Sequence, residues 1–277
     1  MVSPALRVLL DQVALREGAT PIGLSLYAGQ SALITGRPGA GKSALIEVIT
    51  ARAQPASGNV LVSGTMTETE VHVKHKRLTA EHLAKLDRQA HPDRVAEALT
   101  ATQLWNERKT VISKLSPGQQ VAASLLPVLA SPADILFFDG SLDALDPWVR
   151  ADVLALLERR KTMGACWVAV SYLADVAAAC DWIVVLKEGS CRFVGTLGEL
   201  IQRAGPSRLE AEAEQMADVL AMVHPFEVSV RESQGVARFE ALEGQQLAAR
   251  LLTHGYGNVK FVILREPTFA EALMALG

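Results

Sequence analysis

At 277 residues the chain is long enough for one large domain, or a medium one with an appendage, around a substantial core. Hydrophobic residues make up 49% and charged residues 21%, and a formal net charge of −3 excludes a nucleic-acid binder that works by bulk positive charge. The longest apolar stretch, Val121 to Phe138, is broken by Ser124, Pro127, Ser131, Pro132 and Asp134, which excludes it as a membrane span.

Taken in order, the chain begins with Arg7, Asp11 and Arg16 scattered through its start, unlike a secretory leader. Strands are expected at Leu6–Val13, Gly23–Tyr27, Ser31–Thr35, Asn59–Ser63, Ile135–Asp139, Trp167–Ser171 and Trp182–Leu186. Helices are expected at Lys42–Ala53, Pro147–Lys161 and Thr196–Arg203, and the alternation predicts a parallel α/β sheet. Residues 77–130 lack strand patterns and read as an inserted helical block. A break at Gly205-Pro206-Ser207 divides a first domain, 1–204, from an α+β appendage, 205–277, with a βαββαβ pattern and a last helix. Cys166, Cys180 and Cys191 are odd in number and far apart, which reads as reduced core cysteines. His72 and His75 stand three apart on a strand-like run, so they point to opposite faces and do not suggest a metal site.

Gly36-Arg37-Pro38-Gly39-Ala40-Gly41-Lys42-Ser43 satisfies the phosphate-loop pattern G-x-x-x-x-G-K-[ST] in full, and Ala44 continues it into a helix. Leu33-Ile34-Thr35 supplies the strand before it, so the context is right as well. Glycines let backbone N–H groups turn inward around phosphates, and the helix start adds partial positive charge. Lys42 then reaches the β- and γ-phosphates and the Ser43 hydroxyl ligates Mg²⁺, which makes this a nucleotide site.

Leu115-Ser116-Pro117-Gly118-Gln119-Gln120 follows, then Ile135-Leu136-Phe137-Phe138-Asp139, then Ala144-Leu145-Asp146. In order and spacing these motifs, which cover most of residues 1–200, resemble the ATP-binding subunits of ABC transporters. They match the signature L-S-G-G-Q with proline in third place, the Walker B strand and the D-loop. The resemblance implies a P-loop NTPase fold of the ABC type that binds ATP and Mg²⁺, the metal held by Ser43 and Asp139. It also implies that Ser116, Gly118 and Gln119 face the site of a partner subunit and that Asp146 belongs to the D-loop. On helix chemistry alone, Ser116, Pro117 and Gln119 equally suit the N-cap, first and third positions of a helix.

Four departures from the family pattern stand beside these matches. Gly140 occupies the place of the glutamate that polarises water, and Tyr172 that of the switch histidine. No glutamine follows the expected strand near Val71–Val73, and no aromatic residue stands at Leu15–Gly18, where the family stacks adenine. Asp143 is a candidate substitute base, or a cap or solvated residue. The resemblance therefore implies a chain that grips ATP with slow or no hydrolysis and completes the site of an intact second ATPase subunit. A homodimer with atypical catalytic residues, or a regulatory pseudo-ATPase, is the alternative. The implied partners include integral-membrane permease subunits and no nucleic acid, and the implied place is the cytoplasmic face of the cell membrane. The ending Glu266-Pro267-Thr268-Phe269-Ala270-Glu271-Ala272-Leu273 resembles tails of bacterial exporter ATPases, which often help two ATPase subunits dimerise.

Overall fold

The computed structural model describes residues 4–69, 77–87, 89–213, 216–223, 228–233, 236–241, 244–254 and 259–276. Val71–Val73, where the glutamine-bearing strand was expected, and His72 and His75 lie outside them. The chain enters through strands β1 (Leu6–Ala14) and β2 (Ile22–Tyr27), and β3 (Ser31–Thr35) leads into helix α1 (Lys42–Ile49). Strands β4 (Ser57–Val62) and β5 (Met66–Glu68) follow. Four helices then span α2 (Ala80–Ala84), α3 (Pro92–Ala101), α4 (Pro117–Ser124) and α5 (Leu126–Ala130). The chain returns through β6 (Ile135–Asp139), α6 (Pro147–Thr162), β7 (Cys166–Val170), α7 (Ala174–Ala178), β8 (Trp182–Lys187) and β9 (Ser190–Gly195).

A six-stranded sheet in the order β5-β6-β7-β3-β8-β9 carries the first unit. Its first five strands run parallel, and β9 closes the edge as an antiparallel hairpin partner of β8. All five residues of β3 and all five of β7 are buried, as expected where a parallel sheet is covered on both faces. Contrary to the single parallel sheet expected, β1, β2 and β4 form a separate antiparallel sheet in the order β2-β1-β4. Their inner faces, including Val8, Leu10, Ile22 and Leu26, join Ile34, Leu45 and Phe137 in one apolar cluster, which seats helix α1 between the two sheets' side chains. Helix α1 stops at Ile49 rather than Ala53. Thr50 caps it, its hydroxyl donating to the Ile46 carbonyl at 2.8 Å, and Ala51 takes a φ of +58° that no helix continues through.

The described chain divides between Leu197 and Gly198, so most of helix α8 (Leu197–Gln202) goes with the second unit, ahead of the break expected at Gly205. That unit contains β10 (Ser207–Ala213), α9 (Met216–Val223), β11 (Val228–Ser233), β12 (Val236–Ala241), α10 (Gly244–His254), β13 (Val259–Arg265) and α11 (Phe269–Leu276). The order β11-β12-β10-β13, antiparallel throughout, is that of a split βαβ fold. Leu209, Ala211, Val219, Phe239, Leu247 and Leu251 build a core of its own. No described helix is long and apolar enough to cross a membrane.

Candidate functional site

Three strand ends converge at the carboxyl edge of the large sheet, where open α/β sheets bind ligands. Val170, the last residue of β7, is the Cα partner of both Ile34 in β3 and Asp139 in β6. The register therefore sets the phosphate loop after β3 and the Asp139 carboxylate on either side of the strand that leads to Tyr172. Strands lie about 4.8 Å apart, so side chains from β3 and β6 meet across roughly 10 Å of backbone.

The loop itself is built for an anion. Gly36, Gly39 and Gly41 have φ of +143°, +78° and +99°. A Cβ on Gly36 would lie 2.2 Å from the Leu186 carbonyl oxygen, so the chain passes β8 more closely than any side chain permits. Gly41 is the N-cap of α1 and offers no side-chain cap, which leaves the first N–H groups of the helix open to an outside acceptor. Lys42 closes the curve by donating to the Gly36 carbonyl at 2.7 Å and the Arg37 carbonyl at 2.8 Å. Arg37, Pro38 and Gly39 are exposed, Ala40 is buried, and Ser43 and Ala44 are exposed at the helix start. These residues fit a triphosphate.

Burial pulls the Lys42 ammonium below its ordinary value, and Asp139 partly offsets this. Burial likewise raises Asp139, with Glu68 adding to the rise and Lys42 and Arg52 opposing it. Glu68 was not anticipated from the sequence. It pairs in parallel register with Phe137, two residues before Asp139 and so on the same face, and Arg52 holds it at 2.9 and 3.0 Å. The half-buried Asp139 carboxylate and the exposed Ser43 hydroxyl are hard oxygen donors of the kind Mg²⁺ takes, and so fit it. Among the described residues no cluster of three His, Cys, Asp or Glu offers a metal site of another kind.

Gly140 follows Asp139 at φ +67°, and a Cβ there would meet nothing within 4 Å. Asp143 neither caps α6 nor lies solvated. Its half-buried carboxylate accepts the Ser171 hydroxyl at 2.5 Å and the Tyr172 amide, and burial raises its pKa against the pull of those donors and Arg150. It is therefore occupied in holding the loop that carries Tyr172, whose side chain is exposed. Arg150 adds a second tie, donating to Asp175 at 2.6 Å and to the Leu145 carbonyl at 2.9 Å. Asp146 caps α6 by accepting the Trp148 and Val149 amides at 3.1 and 3.0 Å.

Away from the phosphate loop, Ser116 and Gln119 form a reciprocal capping box at the start of α4, with N–O separations of 3.3 and 3.0 Å. Ser116 and Gly118 are exposed, and Gln119 is half-buried. The structure thus groups the phosphate loop, Asp139, Gly140 and Tyr172 at one sheet edge, while Ser116, Gly118 and Gln119 sit at a helix start of the 77–130 block.

A family model described as ABC transporter matches residues 19–142. An energy-coupling factor transporter ATP-binding protein of Symbiobacterium thermophilum is 30% identical over 219 residues, covering 68% of this chain and 76% of that protein. A methionine import ATP-binding protein of Rhodococcus jostii is 30% identical over 202 residues, and the chain spans 64% of itself and 59% of that relative's length there. Among solved structures, a bacterial Atm1-family ABC exporter with ATP bound superposes with a TM-score of 0.63 at 20% identity, over 74% of this chain and 41% of that one. The ADP conformation of an ATP-binding cassette of an ABC transporter gives 0.59 at 18% identity, over 70% and 92%.

Proposed function

The chain belongs to the ABC transporter ATP-binding family, and on that premise we propose that it is the ATP-holding member of an asymmetric pair of ATPase subunits. The observation that carries this reading is a complete phosphate loop, Gly36–Ser43, beside two positions without hydrolytic chemistry. Gly140 has no side chain, and Tyr172 brings a phenol where the family has a histidine.

Lys42, the loop amides and the start of α1 grip the phosphates; Ser43 and Asp139 would hold Mg²⁺. A bound Mg²⁺ would supply neutralisation of the phosphate charge. Asp143 is spent on Ser171 and the Tyr172 amide, so it does not orient a water. Removal of a positioned proton acceptor costs on the order of 10²–10⁴-fold in rate, and ATP in this site outlasts many turnovers of an intact one. Ser116 and Gly118, exposed at the helix start, are lent to the partner's nucleotide. ATP then acts as a clamp, favouring the closed pair by its differential affinity for that state.

The pair works with membrane permease subunits at the cytoplasmic face. Export rests on the Glu266–Leu273 tail alone, against relatives named for import. The full chain by itself is expected to bind ATP with turnover at background. Appreciable turnover abolished by Lys42→Ala would overturn the proposal. A membrane-purified complex in which this chain is the single kind of ATPase subunit would overturn the asymmetric pair.

A further inference from the structure

A cleft of about 550 Å³ opens within the second unit, a size in the range of small-molecule sites. One wall is helix α8, where Gly198, Ile201 and Gln202 stand at i, i+3 and i+4 on a single face. A Cβ on Gly198 would meet nothing within 4 Å, so the helix borders empty space there. Opposite it the fold gathers the start of β10, the start of α10 and the residues after β13. Ser207 opens β10 in register with Ala241 at the end of β12. A Cβ on Gly244 would stand 2.4 Å from Ser207 Cβ and 2.8 Å from its Oγ, so glycine lets that hydroxyl lie against the first turn of α10. Ser207 is 9% exposed, and among the described residues its hydroxyl takes no partner. The first N–H groups of α10 have no acceptor within the helix, and its first turn carries no acidic side chain. At the exposed mouth, Gln245 Nε2 donates to Glu266 Oε1 at 2.6 Å, which fixes the carboxylate and leaves its second oxygen open.

We propose that this cleft binds a neutral, hydroxyl-rich molecule of monosaccharide size. Its polar lining is a buried hydroxyl, a helix start, three carboxamides and one carboxylate. Hydroxyls and carboxamides both donate and accept, as the hydroxyls of a sugar do, and the open carboxylate oxygen accepts from one of them. A buried hydroxyl without a partner is costly, and the ligand supplies that partner. Ile201 and Pro267 offer apolar surface to the C–H face of a ring. Charged ligands fit less well. Among the described residues no Lys, Arg or His lines the cleft, so an anion meets Glu266 without a counter-charge. A cation meets the positive end of α10. An uncharged ligand offends neither.

Calorimetric titration of the full chain with D-glucose, D-galactose and D-mannose tests the assignment. At least one should bind with a Kd of about 1 mM or tighter. Ser207→Ala and Glu266→Ala should each weaken that sugar about fivefold by removing one hydrogen bond. Gly198→Leu puts a side chain into the cleft and suits a helix better than glycine does. It should abolish sugar binding without lowering the urea midpoint. Absence of binding by all three sugars overturns the proposal, as does undiminished affinity in folded Gly198→Leu or in Ser207→Ala. Binding of acetate, inorganic phosphate or L-alanine in place of the sugars overturns it as well, because the cleft would then be built for charge.

Discussion

Gly140 offers the sharpest perturbation, because its backbone and its missing side chain can be tested separately. Its amide donates to the Val170 carbonyl at 3.1 Å and its carbonyl accepts the Asp143 amide at 3.2 Å, which holds φ at +67°. A residue with a Cβ costs about 1–2 kcal/mol in that left-handed region. No steric penalty adds to this, since a Cβ would meet nothing within 4 Å. Gly140→Ala and Gly140→Glu should therefore both lower the melting temperature by about 2–8 °C, at 2–4 °C per kcal/mol for units of this size. Only the glutamate restores a carboxylate next to Asp139, and it should raise ATP turnover on the order of 10²-fold, the low end of such effects because Tyr172 remains. Thermal unfolding and a steady-state phosphate-release assay on wild type and both variants read the two effects. An alanine variant as stable as wild type would refute the backbone argument. A folded, ATP-binding glutamate variant with unchanged turnover would refute the missing carboxylate as the cause of a slow site.

Three further outcomes follow from the packing. Gly36→Ala forces a methyl group to 2.2 Å from the Leu186 carbonyl oxygen, so it should cost about 4 kcal/mol or more and abolish ATP binding; a soluble variant with wild-type affinity would contradict the close approach. Arg160, 3% exposed, donates to the Leu129 and Ser131 carbonyls at 2.7 and 3.3 Å; because Arg94 also donates to Ser131 at 3.1 Å, Arg160→Ala should leave only the Leu129 carbonyl bare and cost about 2 kcal/mol in a urea titration. Asp134 lies below its ordinary 3.8, chiefly because the Thr65 amide donates to it, with the Thr65 hydroxyl and Arg7 in support. A depressed carboxylate stabilises the fold above its unfolded pKa and loses that contribution as pH falls through the folded one. Asp134→Asn should accordingly be less stable than wild type at pH 7, with a gap that closes below 3.8; urea midpoints at both ends check it, and a constant gap would contradict the shift.

What the sequence discloses here is what short range encodes. The strand–loop–helix of Ser31–Ile49 is legible because glycine spacing, β-branched run and lysine sit within one stretch, and Ile135–Asp139 because an apolar run ends in a single acid. The antiparallel set β1, β2 and β4 reads like any other half-buried strands, since alternation specifies a face and not a partner. Met66–Glu68 escapes notice because Met-Thr-Glu is short and polar, and Ser190–Gly195 because arginine and glycine interrupt it. Asp143 on Ser171, Glu68 beside Asp139, and Ser207 against Gly244 depend on contacts between residues distant in the chain. No periodicity announces these.

The double tie between residues 140–146 and 171–175 has a mechanical meaning. Asp143 grips the Ser171 hydroxyl and the Tyr172 amide, and Arg150 rivets the Leu145 carbonyl to Asp175. The two segments form a jointed bar, so a push on the backbone at Tyr172 is delivered at the start of α6, where Asp146 stands. None of these joints uses the side chain of residue 140 or 172. The linkage from the sheet edge to the start of α6 is therefore independent of which side chains stand at 140 and 172.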